Sequence, residues 1–137
     1  MRVLEFTIQG RPPTPNERVH WRAQMKPRAL WRAKAKDAAL VAIDNWVAVH
    51  GAWSPMTYVA ELVAVLIVPT QAVHDWDNGV ASLKPCFDGI REAGVMADDD
   101  TRHVRSAGRI VDYVYIAGLS QVRFRVTEGR APNSLGL

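Results

Sequence analysis

The sequence predicts one α+β domain, with a small mixed sheet of four to five strands and two main helices in the order β-α-β-α-β-β. Three observations predict it. Residues 2–9 alternate apolar and polar, residues 29–50 carry an apolar stripe at helical spacing, and residues 57–68 are a nearly continuous run of Val, Leu, Ile and Ala. The first has the period of a half-buried strand and the second that of an amphipathic helix; the third reads as a strand covered on both faces.

In the first strand Leu4, Phe6 and Ile8 face one way and Glu5, Thr7 and Gln9 the other. Gly10 and the Pro12-Pro13-Thr14-Pro15 segment end it, because proline donates nothing to a ladder and fixes its own φ. A rigid loop is expected next, carrying Arg11, Arg18, His20, Arg22, Lys26 and Arg28 around Trp21. Basic residues interleaved with an aromatic suit a phosphate backbone and an unstacked base, and a solvated loop has the same composition. The helix then runs from about Ala29 to His50 with Trp31, Ala35, Ala38, Ala39, Ala42, Ile43, Trp46 and Val47 as its stripe, and Gly51 stops it. Arg28, Arg32 and Lys36 share a second face, as phosphate contacts or as an ordinary wet surface.

The apolar run from Thr57 to Val68, broken by Glu61 and closed by Pro69, is the expected centre of the sheet. A second helix is expected from Ser82 to Ala93, capped by Ser82, with Pro85 in its first turn. Arg109–Ala117 and Gln121–Thr127 read as a β-hairpin across Gly118, with Val122, Phe124 and Val126 inward. Arg123 and Arg125 are outward, to touch DNA or to keep a sheet edge from pairing. Residues 1–127 form the expected domain, and residues 128–137 a flexible tail.

At 137 residues and 48% hydrophobic the chain has the size and composition of one globular domain. It holds no apolar run of membrane-spanning length and no signal-peptide pattern, so a cytoplasmic protein is expected. The lone Cys86 excludes an internal disulfide and a cysteine-rich metal site. The net charge of +3 is unevenly spread, with an acidic middle third between basic flanks. Such a pattern suits a hard-cation site set in a polyanion-binding surface.

The acids lie in His74-Asp75-Trp76-Asp77-Asn78, in Lys84-Pro85-Cys86-Phe87-Asp88 and in Gly94 to Asp100. Two carboxylates about 4 Å apart repel by roughly 4 kcal/mol at an effective dielectric near 20, so a cation is expected among them. Asp75 and Asp77, two apart in an extended segment, would point to one side, and with an acid from Asp98, Asp99 or Asp100 they would make an open site of hard ligands for Mg²⁺. An EF-hand loop is excluded, since its sixth and twelfth positions would be Val80 and Cys86. A His-Asp hydrolase site starting at His74-Asp75 lacks supporting histidine spacing. Lys84 can pair with Asp88 one turn on and could neutralise charge on a leaving oxygen. Cys86 has nothing near it to activate it and reads as core.

In order, Asp75, Asp77, Asn78, Lys84, Asp88, Gly94, Asp98 and Asp99 resemble the signature of the RusA-like Holliday-junction resolvases, which runs Asp-x-Asp-Asn, Lys, Asp, Gly and a closing Asp-Asp pair. The N-terminal strand followed by Pro12-Pro13 and Asn16 is similar to that family's opening. The resemblance implies a Mg²⁺-dependent endonuclease, with Mn²⁺ able to replace Mg²⁺, acting as a homodimer on branched DNA and nicking two opposed strands of a four-way junction. It implies Asp75, Asp77 and Asp99 as catalytic metal ligands, Lys84 as a catalytic cation, and a cytoplasmic setting in a bacterial host or its phage. Arg18, Arg22, Lys26, Arg28 and Arg32 would then hold DNA. Two departures stand out. Lys84 follows Asn78 by six residues instead of the family's three, as if residues 79–81 delayed the helix start, and the acids after Gly94 are three instead of two. A junction-binding protein without cleavage, or a nuclease for other branched DNA, are the alternative readings.

Overall fold

The computed structural model describes residues 1–13, 21–72 and 74–131, with the backbone alone for 21–24. Its elements are β1 (Val3–Gln9), α1 (Trp21–His50), β2 (Val59–Val68), α2 (Trp76–Glu92), a short 3-10 turn at Ser106–Gly108, β3 (Arg109–Tyr115) and β4 (Gln121–Glu128). This is the expected α+β domain in the order β-α-β-α-β-β, built on a four-stranded mixed sheet ordered β1-β4-β2-β3.

β2 sits inside the sheet as expected, parallel to β3 on one side and antiparallel to β4 on the other. The expected hairpin between β3 and β4 is therefore corrected: both strands exist, but β2 lies between them. A five-residue link can step across two strand spacings, about 9.6 Å, and the most apolar strand gains pairing on both edges. β2–α2–β3 is thus a parallel unit that needs a crossover, and α2 is that crossover.

Both helices pack on one face of the sheet, against Leu4, Phe6 and Ile8 of β1, Leu62, Ala64 and Leu66 of β2, and Val122, Phe124 and Val126 of β4. The expectation that β2 is covered on both faces is corrected as well. Among the described residues no helix lies on the other face, where Val63 and Val65 are half-buried and only Ile67, at the end of the strand, is buried. β4 is an interior strand paired to β1 and β2, so Arg123 and Arg125 guard no sheet edge.

α1 starts eight residues before the expected Ala29 and runs through Pro27, so Lys26 and Arg28 are helical and not in a loop. The apolar stripe is otherwise as read: Trp31, Ala35, Ala39 and Ile43 are buried, Ala38, Ala42 and Trp46 lie against the core, and Val47 is exposed. Gly51 ends the helix at φ +98°, its N–H donating to the Val47 carbonyl at 2.9 Å. Such a φ is open to glycine at little cost.

The α1–α2 crossing depends on Gly89, where a Cβ would lie 2.2 Å from the Arg32 carbonyl oxygen and 3.0 Å from the Lys36 nitrogen. Gly89→Ala is expected to force the helices apart and to cost about 1–3 kcal/mol, as overpacking does, read as a lower urea midpoint at unchanged slope.

Arg2 ties three segments together. Its guanidinium pairs with Glu128 at 2.6 Å, donates to the Ser54 carbonyl at 2.7 Å, and lies 4.2 Å from the Trp53 ring centroid. Glu128, assigned from sequence to the start of the tail, is the last residue of β4, and Gly129 N–H donates to Tyr58 O; residues 132–137 lie outside the described residues. The hydrogen bond from Arg2 holds the Glu128 carboxyl below its ordinary 4.5. A carboxyl lowered in the folded state adds stability above its unfolded pKa, and that stability is lost as pH falls through the folded value. Glu128→Gln is therefore expected to lower stability by about 1 kcal/mol at pH 7 and by little at pH 2, so that melting curves of variant and wild type converge in acid.

Candidate active site

The start of α2 lies beyond the carboxyl end of β2 and is held by β3. Asp75 is the N-cap, extended at φ −83°, ψ 125°, its Oδ1 accepting the Asp77 N–H at 2.9 Å. His74 stacks on Tyr113 at 4.7 Å, and the Tyr113 hydroxyl donates to the Asp75 carbonyl at 3.3 Å. A Cβ at Gly79 would stand 2.6 Å from that hydroxyl, so only glycine lets Tyr113 reach so far. The Trp76 indole, 56% exposed, is fixed by donating its Nε1–H to the Val111 carbonyl at 3.0 Å.

The sequence expectation for this helix is corrected at its start. α2 begins at Trp76, capped by Asp75, so Asp77 is in its first turn and not in an extended segment. Ser82 is buried inside the helix with its hydroxyl donating to the Gly79 carbonyl at 2.9 Å, and Pro85 is buried in the helix interior. Asp, a strong N-cap, wins over the later Ser, and proline within the helix is tolerated because its apolar ring is packed.

The early start alters the geometry of Lys84. Residues 79–81 do not delay the helix but belong to it, and Asp77, Ala81, Lys84 and Asp88 then recur on one face at 3.6 residues per turn. Moving a lysine from position 81 to 84 shifts it about 4.5 Å along the axis and leaves it on nearly the same side. Lys84 Nζ lies 3.8 Å from Asp88 Oδ1, the pair expected from spacing.

Asp98, Asp99 and Asp100 separate by partner. Asp98 Oδ1 accepts the Asp99 N–H at 2.8 Å. Asp100 accepts from the Arg102 N–H and guanidinium, both at 2.9 Å, and lies 2.7 Å from His103 Nδ1. Hydrogen bonds from Arg102 and then His103 hold the Asp100 carboxyl well below the usual carboxylate range. Asp100 is a turn-forming residue. Asp99 instead lines a groove, with Arg91 Nη1 3.9 Å from its Oδ1; Arg91 Nη2 lies 3.9 Å from Asp88 Oδ1. Arg91 thus links the helix carboxylate to the loop carboxylate, a role the sequence reading missed although its spacing of three from Asp88 allows it.

That groove, about 440 Å³, runs between α2 and the free edge of β3. Val80, Ala81, Phe87 and Ile110 give it apolar walls, and Trp76, Lys84, Asp99 and Arg109 border it. Trp76 and Arg109 were not singled out for the site from sequence. Asp75 and Asp77 flank Trp76 in the chain, and among the described residues neither has a cationic partner. Among the described residues no three His, Cys, Asp or Glu side chains converge closely enough to hold a metal ion. The donor chemistry fits a hard divalent cation, all carboxylate oxygen beside a lysine, while the two ends of the set stand apart. Cys86 is fully buried in the core, and burial pushes its thiol up to about 12, which fits a packing residue and no nucleophile.

Of the basic residues read as DNA contacts, Arg18 lies outside the described residues, and Arg22 is placed by its backbone in α1. Lys26, Arg28 and Arg32 project from α1, and Arg32 forms an ion pair with Glu92 at the end of α2. The row is therefore partly committed to the helix crossing. No helix of the described residues is long and apolar enough to cross a membrane.

Fold and groove together define a small α+β domain with an acid–lysine groove along its crossover helix. The chain belongs to the same family as an uncharacterized protein of Xylella fastidiosa (strain Temecula1), to which it is 31% identical over 130 residues, covering 88% of this chain and 79% of the relative. No protein-family model matches the chain.

Proposed function

We propose that the protein is a Mg²⁺-dependent, structure-specific endonuclease of the RusA-like kind that resolves four-way DNA junctions, working as a homodimer that nicks two opposed strands. One observation supports the reading: Lys84 and Asp99 of the resemblance line one groove along α2, with Asp77 on the helix face of Lys84.

Asp75, Asp77 and Asp99 would hold the cation through carboxylate oxygens. When bound, Mg²⁺ supplies a Lewis acid that polarises phosphoryl oxygens and eases deprotonation of water. The chain's own groups do the rest. Lys84, released from Asp88, neutralises charge growing on the departing oxygen. Arg109 holds a neighbouring phosphate, and Trp76 offers a fixed stacking plane for a base beside the cut. Arg91 keeps Asp88 and Asp99 in place between turnovers.

A second reading has one observation in its favour. Because no three described acids converge, the same scaffold would serve as a junction-binding protein without cleavage. The test compares four-way, flap and linear DNA at one fixed salt concentration, since phosphate contacts make each affinity salt-dependent. Paired nicks in the four-way junction alone support the proposal. Flap cleavage redirects it to other branched DNA, and tight junction binding without nicks under Mg²⁺ or Mn²⁺ selects the binding protein.

A further inference from the structure

The α2 residues that border the groove, Trp76, Val80, Ala81, Lys84 and Phe87, follow one side of the helix. Arg91, four positions after Phe87, is the next on that side. Charges alternate there: Lys84 Nζ lies 3.8 Å from Asp88 Oδ1, Arg91 Nη2 lies 3.9 Å from the same oxygen, and Arg91 Nη1 lies 3.9 Å from Asp99 Oδ1. These separations exceed a hydrogen bond, so Arg91 holds the two carboxylates by charge, whereas Arg2 is fixed on Glu128 at 2.6 Å. The Arg91 side chain is 38% exposed and open to another anion. Asp77 and Arg91 stand about 21 Å apart along the helix axis, so a carboxylate kept beside Arg91 is kept from joining Asp75 and Asp77. That accords with the absence, among the described residues, of three acids close enough to share a cation.

We propose that Arg91 is a latch on Asp99 that DNA releases, so that the groove takes up its divalent cation tightly only when DNA is bound. The inference rests on the nuclease reading of the groove and adds a control to it. Without DNA, the guanidinium neutralises Asp88 and Asp99 and competes with a cation for the Asp99 carboxylate. A backbone phosphate arriving between Lys84 and Arg109 offers the guanidinium a better partner, because its planar fork matches phosphate oxygens. Asp99 is then released toward Asp75 and Asp77. Cation and DNA thereby strengthen each other's binding, by the same factor in both directions. Arg91 is a positioning residue in this scheme, acting through Asp99.

The experiment uses the full chain and two titrations that need no cleavage. Calorimetry measures Mn²⁺ binding without DNA, and fluorescence anisotropy measures binding of a labelled four-way junction at fixed ionic strength, in Ca²⁺ and in chelator. Arg91→Gln is expected to bind Mn²⁺ about fivefold more tightly than wild type, the low end of coupling between sites. It is also expected to bind the junction more weakly in chelator, and to lose most of the gain in junction affinity that Ca²⁺ gives the wild type. Arg91→Lys, which keeps the charge without the fork, is expected to fall between the two. Arg105→Gln removes an equal charge from the loop after Asp99, at an arginine that forms no ion pair among the described residues, and is expected to bind Mn²⁺ as the wild type does. Circular dichroism checks the folding of each variant. Mn²⁺ affinity unchanged or lowered in Arg91→Gln, an equal rise in Arg105→Gln, or an undiminished Ca²⁺ gain each overturns the latch. A wild type that nicks junctions while Arg91→Gln binds Mn²⁺ no more tightly removes the latch alone. The expected shifts in a protein that never nicks leave the latch standing and remove the cleavage, and a wild type that binds no Mn²⁺ removes both.

Discussion

Asp77→Asn is expected to lower Mg²⁺-dependent nicking of a four-way junction at least about 10²-fold, the scale of losing one group that stabilises developing charge, while junction binding persists. The substitution keeps the volume and removes the charge at a first-turn position on the helix face that also carries Lys84. Folding should change little, because a carboxylate in the first turn of a helix contributes about 0.3–1 kcal/mol through the helix dipole. Affinity for the junction should hold or rise, since one negative charge is removed from beside a polyanion. Single-turnover cleavage and a gel-shift titration on the same preparation measure both; unchanged cleavage would remove Asp77 from the chemistry.

Phe124→Ala is expected to be the most damaging single change to the fold, at about 3–5 kcal/mol. Phe124 is 2% exposed at the middle of β4, stacked on Phe6 of β1 at 5.4 Å and met edge-on by Phe87 of α2 at 6.2 Å. One ring thus joins two strands and the helix that carries the site. Against a typical total of 5–15 kcal/mol, the loss takes a large share of stability, and urea unfolding should show a much lower midpoint at an unchanged slope. A cost below about 1 kcal/mol would mean that the core under the groove is not packed around this ring.

The inward faces of β1, α1 and β4 were legible because their periods are long and unbroken: Leu4, Phe6 and Ile8, Trp31 through Trp46, and Val122, Phe124 and Val126 are all turned to the core. What misled was punctuation. Pro27 and Pro85 argue locally for helix starts, yet both lie inside helices whose packing outweighs a missing N–H. The apolar run of β2 argued for cover on both faces, whereas Val63 and Val65, on the face away from the helices, are only half-buried. The β3–β4 link looks like a hairpin because period and turn residues say nothing about which strand lies beside which. The proposed site was legible as a set of residues in order. Its layout was not, because the position of Lys84 depends on where α2 begins, and the difference among Asp98, Asp99 and Asp100 lies in partners such as Arg102, His103 and Arg91 that only the fold brings near.

The most direct measurement incubates the wild-type protein with a synthetic four-way junction labelled on each strand, in Mg²⁺ and in excess chelator. The account predicts symmetric nicks in two opposed strands with Mg²⁺ and none with chelator. An intact junction in Mg²⁺ and in Mn²⁺, at protein concentrations that bind it fully, would contradict it.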